Sequence, residues 1–166
     1  MFTIAQLIFI LGQQPAACAE LIGSMSNASV MGMAHFYQTS KGILLLVQVQ
    51  GLPTEVQSCG PTFFGLHIHE GATCTGTNAD PFADVGSHYN PERCAHPRHT
   101  GDLPPLINSN GNALMAVLVS SFSLADIMGR TLVIHSGPDD FSTQPTGASG
   151  EKIACGQILP CPMQNP

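Results

Sequence analysis

The stretch Phe63-Phe-Gly-Leu-His-Ile-His69 alternates apolar and imidazole side chains. Successive residues of a β-strand point to opposite faces, so Phe64, Leu66 and Ile68 share one face while His67 and His69 share the other. An apolar row on one side marks the wall of a core. Two imidazoles leaving the opposite side at one spacing are close enough to bind a single metal ion. A lone His-x-His pair also arises by chance in strands, so the rest of the chain has to decide.

Outward from this strand the sequence reads as more of the same. Val30 to Gln38, Ile43 to Gln50, Ala113 to Val119, Thr131 to His135 and Ile153 to Leu159 are short β-compatible runs. Ile43, Leu45, Val47 and Val49 form one apolar row. Turn signals separate them at Lys41-Gly42, Gly51-Leu-Pro53, Asn108-Ser-Asn-Gly111 and Ser136-Gly-Pro138, and Leu124 to Met128 suits one helical turn. The 166 residues, 43% hydrophobic and 10% charged with 17 glycines and 13 prolines, suit one ordered all-β domain and oppose disorder. Two intervals, Gly71 to Leu106 and Ser136 to Gly150, are rich in Gly, Pro, Ser, Thr and Asp; loops of such length in a compact domain are commonly functional. The pattern predicts an antiparallel sandwich or barrel with two elaborate loops.

Six of the seven histidines lie in or beside those intervals. After His67 and His69 come His88, the cluster His96-Pro-Arg-His99-Thr-Gly-Asp102, and His135 at the end of a strand. Pro97 and Gly101 disfavour a helix across the cluster, leaving a loop with three N and O donors; a fourth donor from nearby makes a closed tetrahedral zinc site. His35 has no partner in sequence and reads as a satisfied structural histidine. A net charge of -6 with five basic residues excludes a nucleic-acid surface and a patch for anionic membranes. No apolar run reaches the roughly 18 residues of a transmembrane helix. The six cysteines fall in no Cys-x-x-Cys pair, which argues against thiolate zinc knuckles.

The N-terminal stretch has two readings. Phe2 to Leu11 has the length of a signal h-region, with Ala17-Cys-Ala19 as a cleavage site, yet the first basic residue is Lys41 and Pro15 interrupts the stretch. The other reading is a short helix or strand packed on the domain. Residues 1–15 are therefore taken as an extension and 16–166 as the domain. Cysteine usage favours an extracytoplasmic location, while the missing basic n-region leaves a cytoplasmic one open.

Gly65-Leu-His-Ile-His-Glu70, Ser87-His-Tyr-Asn-Pro91, His99-Thr-Gly-Asp-Leu103, Gly129-Arg-Thr-Leu-Val-Ile-His135, Asp139-Asp140 and Gly150-Glu-Lys-Ile-Ala-Cys-Gly156 resemble, in order, the motifs of the copper,zinc superoxide dismutases. Asp102-Leu-Pro-Pro-Leu106 and Pro138 to Gly147 resemble the bacterial branch, and the resemblance spans about Ala16 to Leu159. It implies an eight-stranded antiparallel Greek-key barrel, a sandwich architecture general to this enzyme. It implies copper held by His67, His69, His88 and His135, and zinc held by His88, His96, His99 and Asp102. Asp139 matches a carboxylate that orients one ligand of each metal, and Cys74 and Cys155 match the intrachain disulfide. The substrate implied is superoxide, with His88 carrying a proton. Oligomeric state is left open, a homodimer included.

The chain departs from that pattern in three places. The segment from His96 to His99 is much shorter than in eukaryotic members. The loop after His135 is shorter and lacks their guiding charges. Lys152 stands where many members place an arginine beside the copper, keeping the charge without the planar fork. Lys152 is accordingly the expected guide for the anionic substrate. A second bridge, Cys59–Cys94, would tether the shortened zinc segment, and Cys18 and Cys161 are either a third pair or free. Two other classes remain to be compared. A cupin-like iron or manganese oxygenase also opens its motif with His-x-His, but needs a glutamate a few residues on; Glu70 follows at once and Gly71 to Gly76 supplies none. A non-enzymatic, copper-delivering member of the dismutase fold typically lacks a copper ligand, and none is missing here.

Overall fold

The computed structural model describes residues 3–54 and 62–162. Ten strands and two short helices follow in the order α1 (Ile4–Leu11), β1 (Ala17–Gly23), β2 (Met31–Thr39), β3 (Gly42–Gln50), β4 (Phe63–Phe64), β5 (Leu66–His69), β6 (Leu106–Ile107), β7 (Asn112–Val119), α2 (Leu124–Ile127), β8 (Thr131–His135), β9 (Lys152–Gln157) and β10 (Leu159–Pro160). Eight strands form one curled antiparallel sheet in the order β5-β8-β9-β1-β2-β3-β7, with β10 continuing beside β1. The remaining two, β4 and β6, pair as a small ladder. Since β4 leads into β5 and β6 into β7, this ladder ties together the two edge strands of the main sheet, where unpaired N–H and C=O groups would otherwise lie open.

Each strand buries the side its alternation assigns. Ile43, Leu45, Val47 and Val49 of β3, Ala113 and Val119 of β7, and Phe64, Leu66 and Ile68 all lie in one core. Burying a side chain the size of Leu66 or Ile68 stabilises the fold by about 1.5–3 kcal/mol. The β2–β3 hairpin turns through Ser40 and Lys41 alone, with Thr39 paired to Gly42. Gly42 has a φ of +122°, and a Cβ there would stand 2.3 Å from the Val119 carbonyl oxygen on β7, so only glycine fits.

Every residue of β5 and β8 is buried, so both faces of these strands are covered. Their second face carries His67, His69, Val133 and His135, and is roofed by the loop from Glu70 to Pro105. Within that loop Phe82 and Val85 pack on Val133, Cys74 and Cys155 as a small second core. The Cys74–Cys155 disulfide, with Cα atoms 5.7 Å apart, pins the roof to β9. At the end of β8 the ladder skips a residue: Ile134 faces Ala154 while His135 faces Lys152. Such a bulge bends a strand and re-aims the side chain beside it.

Three expectations need correction. The run Phe63 to His69 is two strands, because the Gly65 N–H donates to the Gly137 carbonyl, 2.7 Å away, and β4 leaves for β6 while β5 stays with β8. The final run breaks likewise at Ile158, whose N–H turns to the Arg130 carbonyl. Ala17-Cys-Ala19 lies in β1 with both alanines fully buried, so cutting after Ala19 would sever a core strand. The upstream helix α1 turns only Leu7, Ile10 and Leu11 partly inward.

Candidate metal centre

Backbone hydrogen bonds to β5 set the histidines of the first loop. The Tyr89 N–H donates to the Ile68 carbonyl at 2.8 Å, and the Ile68 N–H donates to the Gly101 carbonyl at 2.9 Å. The loop thereby runs as a short ladder on β5, placing His88 opposite His69 and Asp102 opposite His67. Arg130 supports this segment, its guanidinium 3.7 Å over the Tyr89 ring and donating to the Glu70 carbonyl. The second loop grips the first through Gln144, which accepts from the His96 N–H at 3.0 Å and donates to the His96 carbonyl at 2.8 Å.

Two groups of donors result, within which every ligand atom lies within 4.8 Å of the others. They are His67, His69, His88 and His135, and His88, His96, His99 and Asp102. Their histidines are buried, and His88 belongs to both. Between the groups sits the buried Asp139, whose two carboxylate oxygens each accept at 2.8 Å, one from His67 Nε2 and one from His96 Nε2. A Cβ on Gly147, which has a φ of +66°, would lie 2.0 Å from Asp139 Oδ1; glycine at this position makes room for the carboxylate.

The hydrogen bonds fix the tautomers. A carbonyl only accepts, so His69 Nδ1 carries the proton it gives to the Gly86 carbonyl at 3.0 Å, and His135 Nδ1 the one it gives to Gly150 at 3.2 Å. Their Nε2 atoms then face each other as lone pairs 3.2 Å apart. A proton between them is disfavoured, because burial, reinforced by the neighbouring histidines, pushes His69 down to about 2 and His135 down to about 4. His67 is likewise pushed down to about 2, by burial first and then by His88 and His135. His67 Nδ1, His88 Nε2, His96 Nδ1 and His99 Nδ1 are buried without a hydrogen-bond partner. The last two lie 3.1 and 3.3 Å from Asp102 oxygens, close but not aligned as hydrogen bonds. Burial raises the Asp102 carboxyl, but hydrogen bonds from His88 and from the His99 N–H outweigh it and hold it below its usual range. Buried lone pairs converging on two points, with a carboxylate at one, cost free energy unless a cation sits at each.

The two groups differ in access. A cavity of about 510 Å³ reaches His69, His88 and His135 and is rimmed by Asp80, Glu151 and Lys152; His96, His99 and Asp102 do not line it. Lys152 Nζ donates to Asp80 Oδ2 at 2.6 Å, so its partner is Asp80 and not the adjacent Glu151. Asp80, Gln144 and Gly147 were missed by the sequence reading, since nothing local links Asp80 to Lys152 or Gln144 to His96. His35 lies on β2 as a structural residue, but its buried Nδ1 has no partner among the described residues. Cys94 is exposed and bonds to no described sulfur, while Cys59 lies outside the described residues. Among the described residues no helix is long and apolar enough to cross a membrane.

A family model described as copper/zinc superoxide dismutase matches residues 30–158. The chain is 32% identical over 161 residues to superoxide dismutase (Cu-Zn) 2 of Aquifex aeolicus, covering 88% of each protein. It is 30% identical over 180 residues to superoxide dismutase (Cu-Zn) of Escherichia coli strain K12, covering 95% of this chain and 98% of that one. It is also 30% identical over 156 residues to the copper chaperone for superoxide dismutase of Rattus norvegicus, covering 86% of this chain but 52% of the other. Matched along most of its length by the family model and by its relatives, and carrying both donor groups, the chain belongs to the copper/zinc superoxide dismutase family.

Proposed function

We propose that the chain disproportionates superoxide to oxygen and hydrogen peroxide, with copper at His67, His69, His88 and His135 and zinc at His88, His96, His99 and Asp102. The observation that carries this is the pair of donor groups sharing His88, one reached by a cavity and the other closed. Four imidazoles with an open side suit copper and a diffusing substrate, whereas three imidazoles and a carboxylate shut off from solvent suit structural zinc. Bound copper supplies a one-electron couple that accepts an electron from one superoxide and returns it to another.

The protein residues hold and orient. His88 turns Nε2 toward the open group and Nδ1 toward Asp102, so a proton held at Nε2 is placed where the reduced substrate needs it. Asp139 fixes the tautomers of His67 and His96 together, coupling the two groups through one carboxylate. Lys152 stands at the cavity rim as the cation nearest the open group, with its charge offset by Asp80. The Cys74–Cys155 bond fits an extracytoplasmic enzyme.

The test is metal analysis of the purified protein with a superoxide-decay assay before and after copper loading. Equimolar copper and zinc, with activity that depends on copper, is the expected result. A copper-loaded protein no faster than free buffer would overturn the proposal and favour a copper-delivering role.

A further inference from the structure

We propose that Cys18 and Cys161 form a second intrachain disulfide, which ties the last strand of the chain to the first. β1 and β10 are antiparallel, with Ala17 opposite Pro160 and Cys18 opposite Leu159. Cys161 is two residues beyond Leu159 and therefore shares its face, which makes it the diagonal neighbour of Cys18 across the ladder. Diagonal positions in a regular antiparallel ladder stand about 7–8 Å apart, but the ladder ends at Pro160, so Cys161 is free of that spacing and has only a short distance to close. The Cys18 side chain is a neighbour of the Cys161 thiol, and burial together with that neighbour pushes the thiol up to about 12. Cys18 lies on the outward row of β1 while Ala17 and Ala19 fill the core, so a bond on that side leaves the packing untouched. Both thiols are half-buried, reachable by a small oxidant.

The surroundings hold the two ends together before any bond forms. The Gln14 side-chain amide donates to the Pro162 carbonyl at 3.1 Å, beside Cys161. The chain already carries Cys74–Cys155, so it folds where thiols oxidise. The metal centre uses neither Cys18 nor Cys161.

The oxidant is a low-molecular-weight disulfide. Cys18 gives its proton to solvent and attacks first: one oxidant sulfur bonds to Cys18, the oxidant S–S bond breaks and one small thiol leaves. Cys161 then gives its proton to solvent and attacks the Cys18 sulfur, releasing the second small thiol. Two protein thiols are oxidised, one disulfide is reduced, and two electrons pass between them. With Cys74–Cys155 in place, the new bond closes a loop that runs from Cys18 to Cys74 and back from Cys155 to Cys161, which restrains the unfolded state further.

The experiment treats the metal-loaded full chain with glutathione disulfide, blocks remaining thiols and digests with trypsin without reduction. Basic residues at 41, 93, 98, 130 and 152 place Cys18 in the fragment 1–41 and Cys161 in 153–166. The expected result is that fragment 1–41 travels covalently with 153–166 in the wild type and is released in Cys161→Ser. Treated wild type should also melt about 10 °C above that variant. Fragment 42–93 travels with 153–166 in either case through Cys74–Cys155, so the variant decides: recovery of fragment 1–41 with Cys18 alkylated or glutathionylated in the wild type, or its continued linkage to 42–93 or 94–98 in Cys161→Ser, would overturn the proposal.

Discussion

The two donor groups share His88 and Asp139 but are built from different material. The open group takes His67, His69 and His135 from β5 and β8, strands whose backbones are locked in a ladder and buried on both faces. The closed group takes His96, His99 and Asp102 from one loop, shaped by the His99 N–H donating to Asp102 at 3.0 Å and by the Gln144 grip from a second loop. A ligand on a ladder holds its position while one side stays open to solvent. A ligand on a loop depends on neighbours that surround it. The rigid frame therefore supports the open position that a diffusing substrate requires, and the loop frame supports a closed position that only needs to stay filled.

Removing ligands should separate the groups most sharply. His135→Ala should abolish copper binding and superoxide decay while leaving zinc near one per chain. His99→Ala should lose zinc while copper stays bound through the intact strand residues. Metal content of the purified variants checks both. Loss of both metals from each variant would mean that the groups fold as one unit and that the contrast between ladder and loop is wrong.

Acid should distinguish the groups in metal-free protein. His67, His69 and His135 have folded values below the ordinary 6.5, so the unfolded chain binds more protons beneath that pH and stability falls as pH drops. The loss begins near 6.5; the His135 share is complete near 4, and the other two continue toward 2. Each adds a slope of about 1.4 kcal/mol per pH unit within its window. Asp102 in the closed group acts in the same direction but only at lower pH. Its folded value is depressed, so its contribution is intact above 3.8 and is lost only as pH falls through the lower folded value. The urea midpoint of metal-free protein should fall steeply between pH 6.5 and 4.5. A flat midpoint there would show that the strand histidines are not buried before metal binds.

Asp139 is where the contrast should fail, because it serves both groups. Asp139→Asn leaves one side-chain atom able to accept where two now do, so His67 and His96 cannot both be oriented. Affinity for each metal should weaken by about 10–100-fold, with the donor atoms all still present. Competition with a chelator of known strength measures this. Weakening at one site alone would make Asp139 a partner of that group only.

How far these features were legible follows the same division. The strand histidines could be read because a period of two is local, and seven residues suffice to show Phe64, Leu66 and Ile68 on one side with the imidazoles on the other. The expectation of an antiparallel sandwich or barrel rests on the same alternation, whereas the eight strands and the Cys74–Cys155 pairing came through the family motifs. β1 escaped notice because Ala17, Cys18 and Ala19 are small and imitate a cleavage site; only their pairing with β2 and β10 and the burial of both alanines show a strand. Asp80 stands 72 residues from Lys152 and Gln144 stands 48 from His96, and such contacts exist only once both loops have closed over β5.

The smallest expected effect lies at the rim of the open group and tests whether charge there sets the rate. Superoxide is an anion, the chain carries -6, and the cavity rim places Lys152 beside both Asp80 and Glu151. Asp80 lies 2.6 Å from the lysine and offsets its charge, so the rim as it stands attracts an anion weakly. At a separation of roughly 4–8 Å in water one unit of charge is worth about 0.5–1 kcal/mol. Asp80→Asn, which frees the lysine and keeps the side chain's shape, should therefore raise the second-order rate constant about two- to sixfold at low ionic strength. Lys152→Glu reverses the sign of the one nearby cation and should lower it about tenfold, with copper and zinc content unchanged in both variants. Screening decides between charge and shape: near 0.1 M salt, where the Debye length is about 10 Å, the Asn variant should slow and the Glu variant should speed up, so that the three rates converge. If Asp80→Asn matches the wild type at low salt, the lysine acts through its contact with the loop and not through its field. The open group would then owe its access to geometry alone.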